Sequence, residues 1–362
     1  MLRLIAALMM SLAAVSAGES AQPAEFRFVG SLGCKSSSCH GGAGEKRSQY
    51  ITWSQKDFHT RAYAILLDAR SARIGEAIGI SQPQSSARCT VCHSPFQSVA
   101  PERLTSTARP DEGVSCESCH GAAEPWLRGH TRTDWTYAMR VSAGMHDLRN
   151  LYARANACVA CHQNVDVDTL KAGHPMLVFE LDSQSINEPK HWRDDDPAIG
   201  PRSWLVGQAV ALREIAWALG QAPPNGRTEL LEQENALAWL LDKTSFGGDL
   251  SKLSAFPGIQ LSADGIAKRA VKWSPTNDEL MSILRTFASA ESEFVPSQSS
   301  AELSFSRAQR LTLALERLSV ALGFGEKIDK ELNALGQDVQ RHYDFDSAAF
   351  AQHLRELRAK LQ

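Results

Sequence analysis

Eight cysteines lie between Cys34 and Cys161. They fall into four close pairs, and each second cysteine is followed at once by a histidine. Three pairs have the spacing C-x-x-C-H: Cys89/Cys92/His93, Cys116/Cys119/His120 and Cys158/Cys161/His162. The first in the chain, Cys34-Lys-Ser-Ser-Ser-Cys39-His40, has four intervening residues instead of two. Two thiols one helical turn apart can add to the two vinyl groups on one edge of a porphyrin, and the adjacent imidazole then reaches the iron. Disulfide frameworks and zinc ribbons also use close cysteine pairs, but neither gives a reason for a histidine after each pair. Histidine makes up 11 of 362 residues, so four adjacent histidines would arise by chance on the order of once in a million. The pattern implies four covalently bound haem c groups, with His40, His93, His120 and His162 as proximal iron ligands. No catalytic residue is assigned.

The elements that must position these motifs differ along the chain. Arg3, the apolar stretch Leu4 to Val15 and the small residues Val15-Ser16-Ala17 read as a signal peptide over residues 1–21, with Ala21 as a second cleavage option. No later run is long and apolar enough to span a membrane, since Arg213 and Glu214 interrupt the best one. The expected mature protein is exported, periplasmic and free of a membrane span. A formal charge of −3 gives no sign of nucleic acid as a partner.

Residues 22–200 hold every cysteine and nine of the eleven histidines, with only brief helical patterns. One runs from Tyr50 to Ile78, another from about Asp147 to Cys158, and Asp194-Asp195-Asp196 reads as a solvated acidic loop. Such a segment cannot build a core from side chains alone, so porphyrin faces would supply much of its buried apolar surface.

Residues 201–362 contain no cysteine and read as amphipathic helices. Trp204, Gln208, Leu212, Ile215 and Leu219 form one stripe, and Leu311, Leu315, Leu318 and Leu322 another. A turn at Gly220–Gly226 follows the first, Asp346 or Ser347 caps the last helix, and Pro257 to Asn277 reads as a long loop. The predicted fold class is mainly α: a multihaem cytochrome c domain with little regular structure, followed by an all-α C-terminal domain.

With the motifs in place, residues 30 to 180 resemble the tetrahaem cytochromes related to the electron carrier of hydroxylamine oxidoreductase. The resemblance rests on Trp53 with Asp57-Phe58-His59, on Gly113-Val-Ser-Cys-Glu-Ser-Cys-His-Gly121, and on Gly129-His130. The Cys34–His40 spacing and the whole C-terminal half depart from that family. The resemblance implies packed haems, some in near-parallel pairs. It implies His59 as distal ligand to the His120 haem and His130 to the His40 haem. In the relative, the haem corresponding to His93 is five-coordinate.

Seven histidines are not proximal. His342 and His353 lie in the cysteine-free tail and read as ordinary side chains. For the His162 iron, His174 in Ala-Gly-His-Pro is the first choice and His191 the second. His146 or His191 could close the His93 iron. If every iron is closed, the chain is an electron carrier between a periplasmic oxidoreductase and a membrane quinone or another cytochrome. If the His93 iron is open, it could be a reductase acting on a small nitrogen or sulfur species. Methionine ligation would raise a haem potential, but few methionines remain beyond the leader. A third possibility gives the helical tail a docking role. The sequence leaves the oligomeric state open.

Overall fold

The structure is a computed structural model. It describes residues 26–253, 256–295, 299–340 and 342–362, so the expected signal peptide lies outside the described residues. The described chain is mainly helical, and its one β-feature is an isolated bridge between Phe28 and Leu104. Among the described residues no helix is long and apolar enough to cross a membrane.

The first half carries short helices: α1 (Gln49–Lys56), α2 (Ala69–Ala77), α3 (Ala87–His93) and α4 (Cys116–His120). The helical pattern from Tyr50 to Ile78 is therefore broken, and two aspartates break it. Asp57 turns to extended backbone after α1 and accepts the His59 N–H at 2.8 Å. Asp68 does the same before α2 and accepts the Ser71 N–H at 2.7 Å. Each carboxylate satisfies an N–H that would otherwise be orphaned at a helix start. α5 (Leu151–His162) then runs through the last motif, capped by Asn150, and α6 (Leu181–Asn187) is capped by Glu180.

The second half is built around α7 (Ile199–Gln221), a helix about 35 Å long. It is buried from Pro201 nearly without break to Leu212, which marks a helix covered on all sides rather than one with a solvent face. Pro223 and Pro224 stop it, since neither can donate a helical hydrogen bond. Around α7 pack α8 (Thr228–Asp242), α9 (Phe256–Ala270) and α11 (Ala301–Ala321), and from the first half α5 and α6. α10 (Asn277–Ala288), α12 (Gly325–Asp338) and α13 (Ser347–Lys360) complete the bundle, and Asp346 caps α13 as expected.

The long loop expected from Pro257 to Asn277 is corrected: α9 occupies most of it. Pro257 sits in the first turn, where a missing N–H costs nothing. Ile259, Ala263, Ile266, Ala267 and Ala270 form the buried stripe against α7. The true connection is short and ends at Thr276, whose hydroxyl caps α10.

Candidate functional site

α5 joins the two halves. Leu151, Ala155 and Val159 enter the bundle core, while Cys158, Cys161 and His162 line a cavity on the other side. That cavity has a volume of about 2430 Å³ and is lined by all four Cys/His motifs. A site for one small ligand takes roughly 300–1,000 Å³, so this space fits several large groups.

The three regular motifs sit on helical turns α3, α4 and α5, which bring each cysteine pair and its histidine to one face. The first motif reaches the same end differently. Ser36 and Ser38 bulge outward with their hydroxyls 2.9 Å apart, and the His40 N–H donates back to the Cys34 carbonyl at 3.2 Å. The longer spacing is absorbed in the bulge.

All nine candidate histidines line the cavity. Eight of them face one another in pairs. Ring centres are 6.1 Å apart for His40 and His130, 6.4 Å for His93 and His174, 6.3 Å for His120 and His191, and 5.9 Å for His162 and His59. A transition metal holds an imidazole nitrogen at about 2 Å, so two imidazoles on opposite sides of one metal have ring centres about 6 Å apart. Each proximal histidine thus faces one distant histidine at a spacing that one iron would span.

The ring orientations are fixed from behind. The Nδ1 of His93 donates to the Ala62 carbonyl at 3.0 Å, that of His130 to Leu127 at 2.5 Å, and that of His174 to Pro175 at 2.9 Å. His191 is held more loosely by the Pro189 carbonyl at 3.4 Å. A carbonyl only accepts, so in these rings Nδ1 carries the proton and Nε2 keeps its lone pair. His40 Nδ1 bonds to Gln49 Oε1 at 3.0 Å, and Gln49 is oriented by its own amide donating to the Glu45 carbonyl. His59 is different: its Nδ1 faces two carboxylates, Asp57 at 3.0 Å and Glu188 at 3.4 Å.

The electrostatics follow from burial and from these partners. Burial pulls His120 down to about 4 and pushes the Cys119 and Cys158 thiols up to about 12 and about 11. Neither thiol is a standing thiolate nucleophile. Asp57 and then Glu188 hold His59 up at about 10. The motifs also meet through the backbone. Glu117, between the third motif's cysteines, accepts the Val29 and Gly30 N–H groups that lead into the first motif, and α5 with the fourth motif packs on both α4 and α3.

Several buried donors on the cavity wall have no partner among the described residues: Arg140 Nε, Trp126 Nε1, and the hydroxyls of Ser115 and Ser118. An unpaired buried donor costs about 1–3 kcal/mol, so a wall with several of them fits a guest that brings acceptors. A haem does so through its propionates, and the apolar share of the lining suits its faces.

The structure redistributes several expected pairings. His59 lies across from His162, not His120, and His191 takes the place across from His120. His174 faces His93 rather than His162. His130 faces His40, as the resemblance implied. His146 has a different setting: its Nδ1 donates to the Cys119 carbonyl at 2.9 Å and its ring lies over Gly121, beside His120 rather than across from it. His342 and His353 are bonded to Glu302 and Asp338 in the bundle.

The acidic run is not a solvated loop throughout. Asp194 is nearly buried, paired with Arg154 of α5 at 3.1 Å and bonded to Trp192 Nε1 at 2.7 Å. Asp196 pairs with Arg202 at 2.7 Å. The segment from Glu188 to Asp196 is therefore a strap tied to both halves of the chain. Glu188 itself carried no signal in the sequence, where it stands only as an acidic residue before a proline.

A mainly helical chain whose cysteine pairs each carry a histidine into one cavity fits the c-type haem cytochromes. The family model for cytochrome c554 and c-prime matches residues 34–121, a span that holds the first three motifs. The match supports a multihaem c-type cytochrome: an electron carrier with covalently bound haem c. No curated protein and no solved structure matches the chain.

Proposed function

We propose that this chain is a periplasmic tetrahaem c-type cytochrome of the kind that serves hydroxylamine oxidoreductase. It would transfer electrons between a periplasmic oxidoreductase and a membrane quinone or another cytochrome. The observation that carries this reading is the set of four facing imidazole pairs around one cavity. When bound, haem supplies a one-electron couple at each pair.

The chain's own residues do the rest. The eight motif cysteines would hold the porphyrins covalently. His40 with His130, His93 with His174, His120 with His191, and His162 with His59 would supply the iron ligands. Backbone carbonyls behind His93, His130, His174 and His191 hold those rings by Nδ1 and leave Nε2 free to bind a metal, so oxidation and reduction would change little in the protein. Contacts between motifs give an order of transfer. The third motif holds the chain entering the first through Glu117, and the helix of the fourth packs on those of the third and the second. The path His40, His120, His162, His93 follows.

A reductase would need an open iron face. His174, placed across from His93, supports a closed iron there and so favours the carrier over the reductase. A pyridine haemochromogen assay should give four haems per chain. Electron paramagnetic resonance of the ferric protein should show low-spin centres alone, and His191→Ala should turn one of them high-spin. A high-spin signal in the unaltered protein would return the reductase reading.

A further inference from the structure

Of the seven anchored imidazoles that line the cavity, five lean on a backbone carbonyl and one on a neutral amide; among them His59 alone leans on charge. Asp57 is 5% exposed, so its charge is poorly screened by water. It reaches His59 twice, through the ring Nδ1 at 3.0 Å and the backbone N–H at 2.8 Å. Glu188 arrives from far along the chain. It closes α6, with its N–H bonded to the Gln184 carbonyl at 2.9 Å. Pro189 then forbids another helical turn and holds Glu188 extended, at φ −67° and ψ 130°. Its carboxylate is thereby left beside Asp57 and His59, where three ligand atoms lie within 4.8 Å of one another. Three residues on, His191 faces His120.

We infer that Asp57 and Glu188 act together as positioning residues that make the His162/His59 haem the lowest-potential centre of the four. The inference rests on the tetrahaem reading above. A carboxylate that accepts the Nδ1 proton of a ligating histidine makes the imidazole a stronger donor, and this favours the ferric over the ferrous state. Two nearby negative charges act in the same direction, because the oxidised centre carries one more positive charge. A carbonyl partner has the first effect more weakly and lacks the second. The electron path then has a step of high energy in its interior rather than at an end. Such a step sets how readily the two ends exchange electrons.

The test is a spectroelectrochemical titration of the full holoprotein and of Glu188→Gln. The variant keeps a hydrogen-bonding side chain and removes the charge. One of the four midpoint potentials, the lowest, should rise by at least tenfold in the reduction equilibrium, about 59 mV for one electron. The other three should hold. Asp57→Asn should move the same component further, and Asp195→Asn, on the exposed part of the strap, should move none. If no component moves in Glu188→Gln, or all four move together, the assignment is wrong. A high-spin signal in Glu188→Gln would also overturn it, because the carboxylate would then be holding the strap rather than tuning the iron. Fewer than four haems or a high-spin centre in the unaltered protein would instead count against the tetrahaem reading.

Discussion

Between Phe26 and Asn150 the buried apolar side chains that cluster are few: Val29, Ala123 and Trp126, with Leu127, Trp135 and Met145 leaning on them. From Ile199 onward, buried leucines, alanines and aromatics from every bundle helix join in one continuous core around α7. The first stretch surrounds a cavity, and the second fills its interior with side chains. Stability in the bundle follows from the amphipathic stripes of its helices. In the first stretch the helices are too short to stand alone, since an isolated helix under about 12–15 residues is marginal. Caps at Asp57 and Asp68 shape the backbone there, and on the tetrahaem reading the apolar surface that holds it together would come from outside the polypeptide.

The largest effect that could break this contrast comes from removing that external core. With all eight attachment cysteines changed to serine, the Phe26–Asn150 stretch should become open to limited proteolysis. The helices from Ile199 on should survive and retain their circular dichroism. A protease-resistant first half would show that its side chains suffice. Next in size is a cut in the bundle core. Trp204 is fully buried and packs edge-on against Phe287 with centroids 5.9 Å apart. Trp204→Ala should cost about 3–5 kcal/mol by chemical denaturation and leave the haem count unchanged.

A smaller effect depends on pH. Glu234 on α8 is 6% exposed, and burial raises its carboxyl from 4.5 to about 7. In the unfolded chain it ionises near 4.5, so between 4.5 and 7 the unfolded state binds fewer protons. Its contribution is fully present below pH 4.5 and is lost as pH rises through 7. Glu234→Gln should flatten that slope and stabilise the protein at pH 8 by about 1–3 kcal/mol. The smallest effect should come from His146→Ala. All four low-spin centres should persist, with stability changed by less than about 0.5 kcal/mol. A new high-spin signal in that variant would mean that His146, not His191, closes an iron.

What could be read from the sequence also differs between the two regions. The four motifs are local, and their spacing is itself the chemistry, so Cys34 to His162 were readable residue by residue. The stripes of α7 and α11 were readable because an apolar residue every three or four positions has one plain meaning, and the start of α13 was readable from its capping residue. α9 was not, because Pro257, Gly258 and Gly265 are residues of turns and loops and interrupt the helical period that Ile259, Ala263 and Ile266 carry. Which distant histidine meets which motif was only partly readable. His130 stands across from His40. His59, His174 and His191 face other motifs than expected. For His191, and for Glu188 beside His59, the place depends on the path of the Glu188–Asp196 strap and on Arg154 holding it, and neither is written in local spacing. Glu188 was invisible for the same reason.

α5 gives one further consequence. One of its faces belongs to the bundle and the other to the fourth motif, so no cut in the chain separates helices from haem sites cleanly. A fragment beginning just before Asn150 would keep that helix seated through Leu151, Ala155 and Val159 and still present Cys158, Cys161 and His162. It would lack His59 across from them. Such a piece is a natural starting scaffold for a single-haem protein with a vacant coordination position, anchored on a core that does not depend on the pigment it carries.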